Sequence, residues 1–200
     1  LDKTLMQRIV ANKPDVVTLL RVQYRMNEEI MRFSSDWFYG GQVEAAPEVR
    51  FRSILDLDRP MEWVDTGEAN VEFGISNCEL GDQEVPSSDL FREAFVGESF
   101  GRINKAEAHL TMQTLQDYFE RIGKQRLLEE RIDVGVISPY RAQVQYLRRL
   151  IMKSEYFKPF RRYISVNTVD GFQGQERDII VLSMVRSNDE GQIGFLRDLR

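Results

Sequence analysis

Two apolar, β-branched runs at residues 163–168 and 179–185 read as strands, and only ten residues separate them. That spacing is the tightest constraint in the chain. A parallel crossover normally takes a dozen residues or more, so a single helical turn would have to make this one. The linking residues are Val169, Asp170, Gly171, Phe172, Gln173, Gly174, Gln175, Glu176, Arg177 and Asp178. Two glycines and three acids are poor core material. They suit a site, because Gly171 and Gly174 let backbone amides approach a ligand closely.

The rest of the chain alternates helical and strand-like patterns. Residues 2–10 place Leu5, Met6 and Ile9 on one helical face, and Pro14 ends that helix. Residues 16–20 read as a buried strand. The spacing over 26–39 predicts a helix with Ile30, Phe33, Trp37 and Phe38 inward, stopped by Gly40 and Gly41. Residues 61–65 alternate like a strand. Residues 67–100 are acidic and turn-rich and read as an insertion or long excursion, with Phe91, Phe95 and Phe100 available to order part of it. A helix is predicted over 104–122, a strand over 133–137, and a helix over 139–152 with Ser138 as N-cap and Pro139 in its first position. Strands and helices in this order predict an α/β fold, a mostly parallel sheet flanked by helices within one domain over 1–200.

Composition excludes several classes. The chain has 200 residues and a net charge of −5. The acid is concentrated in residues 44–100, which hold 4 basic and 14 acidic side chains, while residues 131–200 hold 12 basic and 8 acidic. One face can therefore still meet a polyanion. The single cysteine, Cys78, excludes an internal disulfide and fits a reducing, intracellular and cytoplasmic setting. The single histidine, His109, has no cysteine or histidine partner in its pattern, so no metal site is expected. No apolar run approaches a membrane span, and no leader is visible.

Four polar clusters follow predicted strands directly: Gln23-Tyr24-Arg25-Met26, Ser138-Pro139-Tyr140-Arg141, residues 168–176, and Arg186-Ser187-Asn188. In a parallel sheet the carboxyl ends of the strands share one edge, where open α/β folds bind ligands, so the four are expected on one rim. Arg25 and Arg141 suit phosphate oxygens. Tyr24 and Tyr140 offer faces to bases. Ser138, Thr168 and the amides about Gly171 and Gly174 suit phosphates, and Glu176 suits a ribose hydroxyl. A Gly-x-x-x-x-Gly-Lys-Ser/Thr phosphate loop is absent, so the chain is expected to hold half of a nucleotide site. Asp189-Glu190 is read as a loop pair and not as magnesium ligands.

Taken in order, several segments resemble the second RecA-like domain of superfamily 1 helicases, in the branch of the nonsense-mediated-decay RNA helicase and related DNA helicases. They are residues 20–26, Phe33-Ser34-Ser35 with Phe38-Tyr39, Asn104-Lys105-Ala106-Glu107-Ala108, residues 137–143, 168–176, Val185-Arg186-Ser187-Asn188 and Ile193-Gly194-Phe195-Leu196. Residues 45–100 are not matched in detail. The resemblance implies a P-loop NTPase fold without its own phosphate loop. A first RecA-like domain in cis would bring that loop and the Mg²⁺ ligands. It further implies ATP in the cleft between the domains and single-stranded DNA or RNA across both. On this resemblance Arg25 is an arginine finger, Gln23, Tyr24, Gly174 and Glu176 lie by the nucleotide, and Ser138, Tyr140, Arg141 and Thr168 lie by the strand. A last motif with a second catalytic arginine is expected beyond Arg200, so Arg197 and Arg200 are not that residue, and the isolated polypeptide is expected not to hydrolyse ATP. The resemblance thus implies half of an ATP-dependent helicase motor. The alternative is a non-hydrolysing docking module of a repair or nuclease protein.

Overall fold

A computed structural model describes residues 4–66, 91–97 and 101–194, and the chain divides into two compact units, Leu1–Trp63 and Val64–Arg200. Most of the acidic 67–100 segment, with Cys78 and Phe100, lies outside the described residues.

The first unit is a small βαβ. Helix α1 (Leu5–Asn12) starts in a capping box, in which Thr4 accepts from the Gln7 amide and the Gln7 side chain accepts from Thr4 N–H. The run expected as a strand at 16–20 is not one. Pro14 opens a 3-10 turn, Pro14–Val16, and Leu20 is 83% exposed. The pairing strand comes later: β1 (Val22–Gln23) lies parallel to β2 (Glu44–Ala45). Between them runs α2 (Glu28–Tyr39), capped by Asn27 and ended by Gly40 in the left-handed conformation. Its buried side is Met31 and Ser35, and Ser35 Oγ both donates to Val43 O and accepts from Val43 N–H. Ile30, Phe33, Trp37 and Phe38, expected inward, are exposed, Phe33 and Trp37 at 61% each. A two-stranded sheet is too narrow to cover a whole helix face, so these rings meet one another: Phe33 and Trp37 stack at 6.0 Å. Residues 61–65 form no strand.

The second unit holds the main sheet and core. Hairpin strands β3 (Ala94–Val96) and β4 (Gly101–Ile103) pair antiparallel, and the hairpin draws in the end of the acidic segment by burying Phe91. Asn104 caps α3 (Lys105–Ile122), whose side chains Leu115 and Phe119 are almost fully buried. Phe119 meets Phe160 edge-on at 5.1 Å. Helix α4 (Lys124–Glu129) follows. The sheet then forms from β5 (Val134–Ile137), β6 (Ile164–Asn167) and β7 (Ile179–Leu182), in the order β6-β5-β7 and all parallel. All four β5 residues are buried. Helix α5 (Arg141–Lys153) links β5 to β6.

The short crossover is made as the spacing requires. One turn of helix, α6 (Val169–Phe172), carries the chain from β6 across β5 to β7. Gly135 in β5 leaves room for it: a Cβ there would fall 2.9 Å from Phe172 Cε1 and 2.8 Å from Ile180 Cδ1. Among the described residues no helix is long and apolar enough to cross a membrane.

A candidate nucleotide and nucleic-acid site on the parallel sheet

Three of the four strand-end clusters arise from adjacent strands. Ile137 stands opposite both Asn167 and Leu182. Pairing continues past the strands, with Ser138 N–H donating to Asn167 O at 3.2 Å and Ser183 N–H to Ile137 O at 2.8 Å. Ser138, Thr168 and Ser183 therefore begin at one carboxyl edge. The fourth cluster belongs to the first unit and follows β1, whose sheet is separate. There the Gln23 amide folds the turn after it. Its oxygen accepts from Arg25 N–H at 2.8 Å and Met26 N–H at 2.9 Å, and its nitrogen donates to Met26 O at 2.7 Å. Gln23 thus shapes the turn that displays Tyr24, 68% exposed, and the exposed Arg25.

Ser138 differs from its expected role as N-cap. Helix α5 starts at Arg141 with Tyr140 in the cap position and no side-chain cap. Ser138 is 0% exposed, and its Oγ accepts from Tyr140 N–H at 3.4 Å. It braces the turn that presents half-buried Tyr140 and exposed Arg141.

The segment after β6 does not stay at one rim, as the expected cluster 168–176 did. A parallel neighbour must start again at the opposite edge, so the chain has to traverse the sheet. Thr168, which accepts from Gly171 N–H at 3.3 Å, sits at the carboxyl edge. Glu176 sits three residues before β7, on the amino side, where Asp178 and Asp133 exchange backbone-to-carboxylate hydrogen bonds of 3.0 Å. Arg177 reaches Ser165 Oγ there, at 3.5 Å. Gly171 is tightly enclosed, since a Cβ would lie 2.4 Å from Asn167 Cγ. Gly174 has φ +80° with open space about it, a conformation that disfavours any side chain while leaving its amide accessible.

A buried polar network behind β7 went unassigned in the sequence. Val185 is fully buried with φ 73°, and Arg186 N–H donates to Met184 O, so the chain makes a γ-turn of the strained hand. Glu107 of α3 holds that turn. Val185 N–H donates to both Glu107 oxygens at 2.9 Å and Ser183 Oγ donates to one at 2.8 Å. Gln143 Nε2 donates to Ser183 Oγ and Asn104 O, both at 2.9 Å, and Gln143 Oε1 accepts from Asn104 N–H at 3.0 Å. Glu107 stands three residues after the N-cap Asn104 and looks like an ordinary capping glutamate, which hides it in the sequence.

Burial pushes the Glu107 carboxyl above its usual range, and the donors from Val185, Ser183 and Met184 only partly counter this. The folded state therefore binds the proton more tightly than the unfolded chain does. The Glu107 contribution to stability should be fully present below the unfolded carboxylate range and be lost as pH rises through the folded titration. Glu107→Gln removes that slope. Denaturant melts should show the two proteins nearly alike in acid, with the wild type losing ground to the variant as pH rises. A constant difference across that range means Glu107 does not titrate as described.

The AAA domain family matches residues 1–200 of the chain. The chain is 36% identical over its full length to an uncharacterized ATP-dependent helicase, MJ0104, of Methanocaldococcus jannaschii, and covers 26% of that protein. It is 33% identical to the DNA polymerase alpha-associated DNA helicase A of Saccharomyces cerevisiae, over all of the chain and 28% of the relative. It is 34% identical to the regulator of nonsense transcripts 1 homolog of Neurospora crassa, over all of the chain and 16% of the relative. The chain thus spans about a quarter or less of the curated relatives it matches. An α/β unit with a parallel sheet, a site-like crossover and full-length matches of this kind has one consistent assignment: the chain belongs to the AAA domain family, in the superfamily 1 helicase branch.

Proposed function

We propose that this chain is the second motor domain of an ATP-dependent nucleic-acid helicase or translocase. The observation that supports the reading most is the path of residues 168–176, which leaves a strand end at Thr168 and ends on the other side of the sheet at Glu176. One short, braced segment can then touch two ligands at once. Thr168 hydroxyl and exposed Arg141 face the phosphates of a single strand, Tyr140 a base, and buried Ser138 holds their turn. Gly174 amide and the Glu176 carboxylate meet the nucleotide, on its phosphate and ribose respectively.

In the first unit, taken by itself, Tyr24 and Arg25 are the candidate nucleotide contacts that the resemblance implies, with Gln23 fixing their turn. Arg25 neutralises charge on the transferred phosphoryl group. The groups on this chain suit the sugar, base and phosphate oxygens of ATP. Mg²⁺ would supply charge neutralisation at the phosphates. Among the described residues no three acids, histidines or cysteines gather to hold it. We assign the metal ligands and the phosphate loop to a first RecA-like domain in cis. Closure of the two domains on ATP, and reopening after hydrolysis, then shifts the strand held by Thr168 and Arg141.

The test is ATP hydrolysis by the full-length protein, with and without single-stranded DNA and single-stranded RNA. Turnover should rise with at least one of them, and Thr168→Ala should blunt that rise more than it lowers strand-free turnover. Hydrolysis indifferent to both strands would overturn the motor reading, and no hydrolysis at all would leave the docking-module reading instead.

A further inference from the structure

The chain carries a net −5, yet residues 141–163 contain seven basic side chains and one acid, Glu155. The buried side of α5 is Gln143, Val144, Leu147 and Ile151. Opposite it lie Arg141, Gln145, Arg148, Arg149, Met152 and Lys153, all exposed. The 3-10 segment Lys158–Tyr163 adds three more cations at the far end of the helix.

Some of these cations have structural work. Arg148 donates through Nε and Nη2 to Val166 O, at 3.0 and 2.6 Å. Arg161 donates to the carbonyls of Ile151, Met152 and Ser154, closing the carboxyl end of α5 and binding the 3-10 segment to it. Lys158 pairs with Glu155 at 3.2 Å. Four remain. Arg141, Arg149, Lys153 and Arg162 pair with no acid among the described residues. Two of them are held over rings, Arg149 over Tyr146 at 5.6 Å and Arg162 over Tyr163 at 4.6 Å. Such stacking holds a guanidinium in place while both arginines stay exposed, and Arg149 Nε is further fixed by donating to Gln145 O at 3.4 Å.

We propose that this face of α5, continued by Arg162, is a second phosphate-backbone surface that extends the strand path from Arg141 away from the carboxyl edge. Thirteen residues of helix span about 18 Å, long enough to meet several phosphates of one strand. A convex helix face has no groove in which to read bases, so it contacts backbone and gives affinity without sequence preference. The surface rests on the helicase reading, because it adds length to the nucleic-acid path named there.

The test uses the full-length protein and the triple variant R149Q/K153Q/R162Q, which spares the structural Arg148 and Arg161. Affinity is measured by anisotropy between about 50 and 200 mM salt. One probe is a short single strand, the other a fork with the same strand joined to a duplex. The expected result is a loss of about 2 to 3 in the slope of log affinity against log salt, since each lost phosphate contact removes about 0.7 to 0.9. Loss on both probes is the expected result for a surface that extends the single-strand path, and loss on the fork alone would place it on duplex and overturn that extension. R149K/R162K should keep the wild-type slope, which separates charge from disturbed folding. An unchanged slope on both probes overturns the proposal. So does tighter binding of anionic vesicles than of either nucleic acid, when the same three substitutions abolish it. Strand-stimulated turnover at saturating short strand reports the motor separately, so its loss in the wild type counts against the helicase reading and not against the surface.

Discussion

Arg25→Ala in the full-length protein is expected to lower strand-stimulated ATP turnover by about 10³- to 10⁵-fold while leaving nucleotide binding largely in place. That is roughly 4 to 7 kcal/mol of transition-state stabilisation. The case rests on the proposed helicase reading, and the way Arg25 is presented is compatible with it. Its backbone amide is fixed by Gln23 Oε1, one residue from a two-residue strand, and its side chain is exposed at the tip of the turn. A cation so exposed costs nothing in burial, and on the proposed helicase reading it would act mainly on the charge that develops during phosphoryl transfer. Arg25→Lys should rescue little, because an ammonium lacks the planar fork. Gln23→Ala should lower turnover less than Arg25→Ala, since it loosens the turn and leaves the guanidinium present. Turnover by Arg25→Ala within about tenfold of wild type would remove the finger role.

How much of this could be read in the sequence depended on the range of the interaction involved. Helix α3 and strand β5 emerge within a residue or so of their expected bounds, because a long 3.6-residue period and a β-branched run speak for themselves. The 16–20 run misled for the opposite reason. A strand needs a neighbour, and its own residues cannot reveal whether one exists. The exposed rings of α2 are the same failure on a helix: the pattern gives the apolar face and says nothing about how wide the covering sheet is. The split between Thr168 and Glu176 was legible and missed. Once both flanking runs are parallel strands of one sheet, ten intervening residues must end at the edge opposite to where they began. Gly135 looks like a weak point in a strand until Phe172 is seen above it. Glu107 gave no distinguishing signal, because the same three-residue spacing serves a cap and a buried tie.

Arg186→Ala tests the longest-range of these unreadable contacts. Arg186 Nε lies 2.9 Å from Glu93 Oε2, with both side chains less than a tenth exposed. Glu93 also takes Arg102 at 2.6 Å and Asn188 Nδ2 at 3.3 Å, and its amide donates to Ser187 O at 3.2 Å. The second arginine group, Arg186 Nη2, donates to Gln192 O, and Asn188 and Gln192 exchange two further hydrogen bonds of 2.8 and 2.9 Å. This cluster fastens the segment after β7 to the β3–β4 hairpin, some 90 residues earlier in the chain. Removing Arg186 leaves Glu93 buried with half its countercharge, while Gln192 O keeps Asn188 Nδ2 as its remaining donor. Stripping a buried ion of its partner costs about 3 to 5 kcal/mol, and because Arg102 remains, about 2 to 4 kcal/mol is expected here. In a chain of this size that lowers the melting temperature by roughly 4 to 16 °C. Glu93→Gln together with Arg186→Ala should cost less than the sum of the two single changes, since the carboxylate that suffers is then already gone. Strict additivity, or a loss under about 1 kcal/mol for Arg186→Ala, would mean that the pair is hydrated in solution and that the γ-turn at Val185, not this ion cluster, sets the path of residues 186–192.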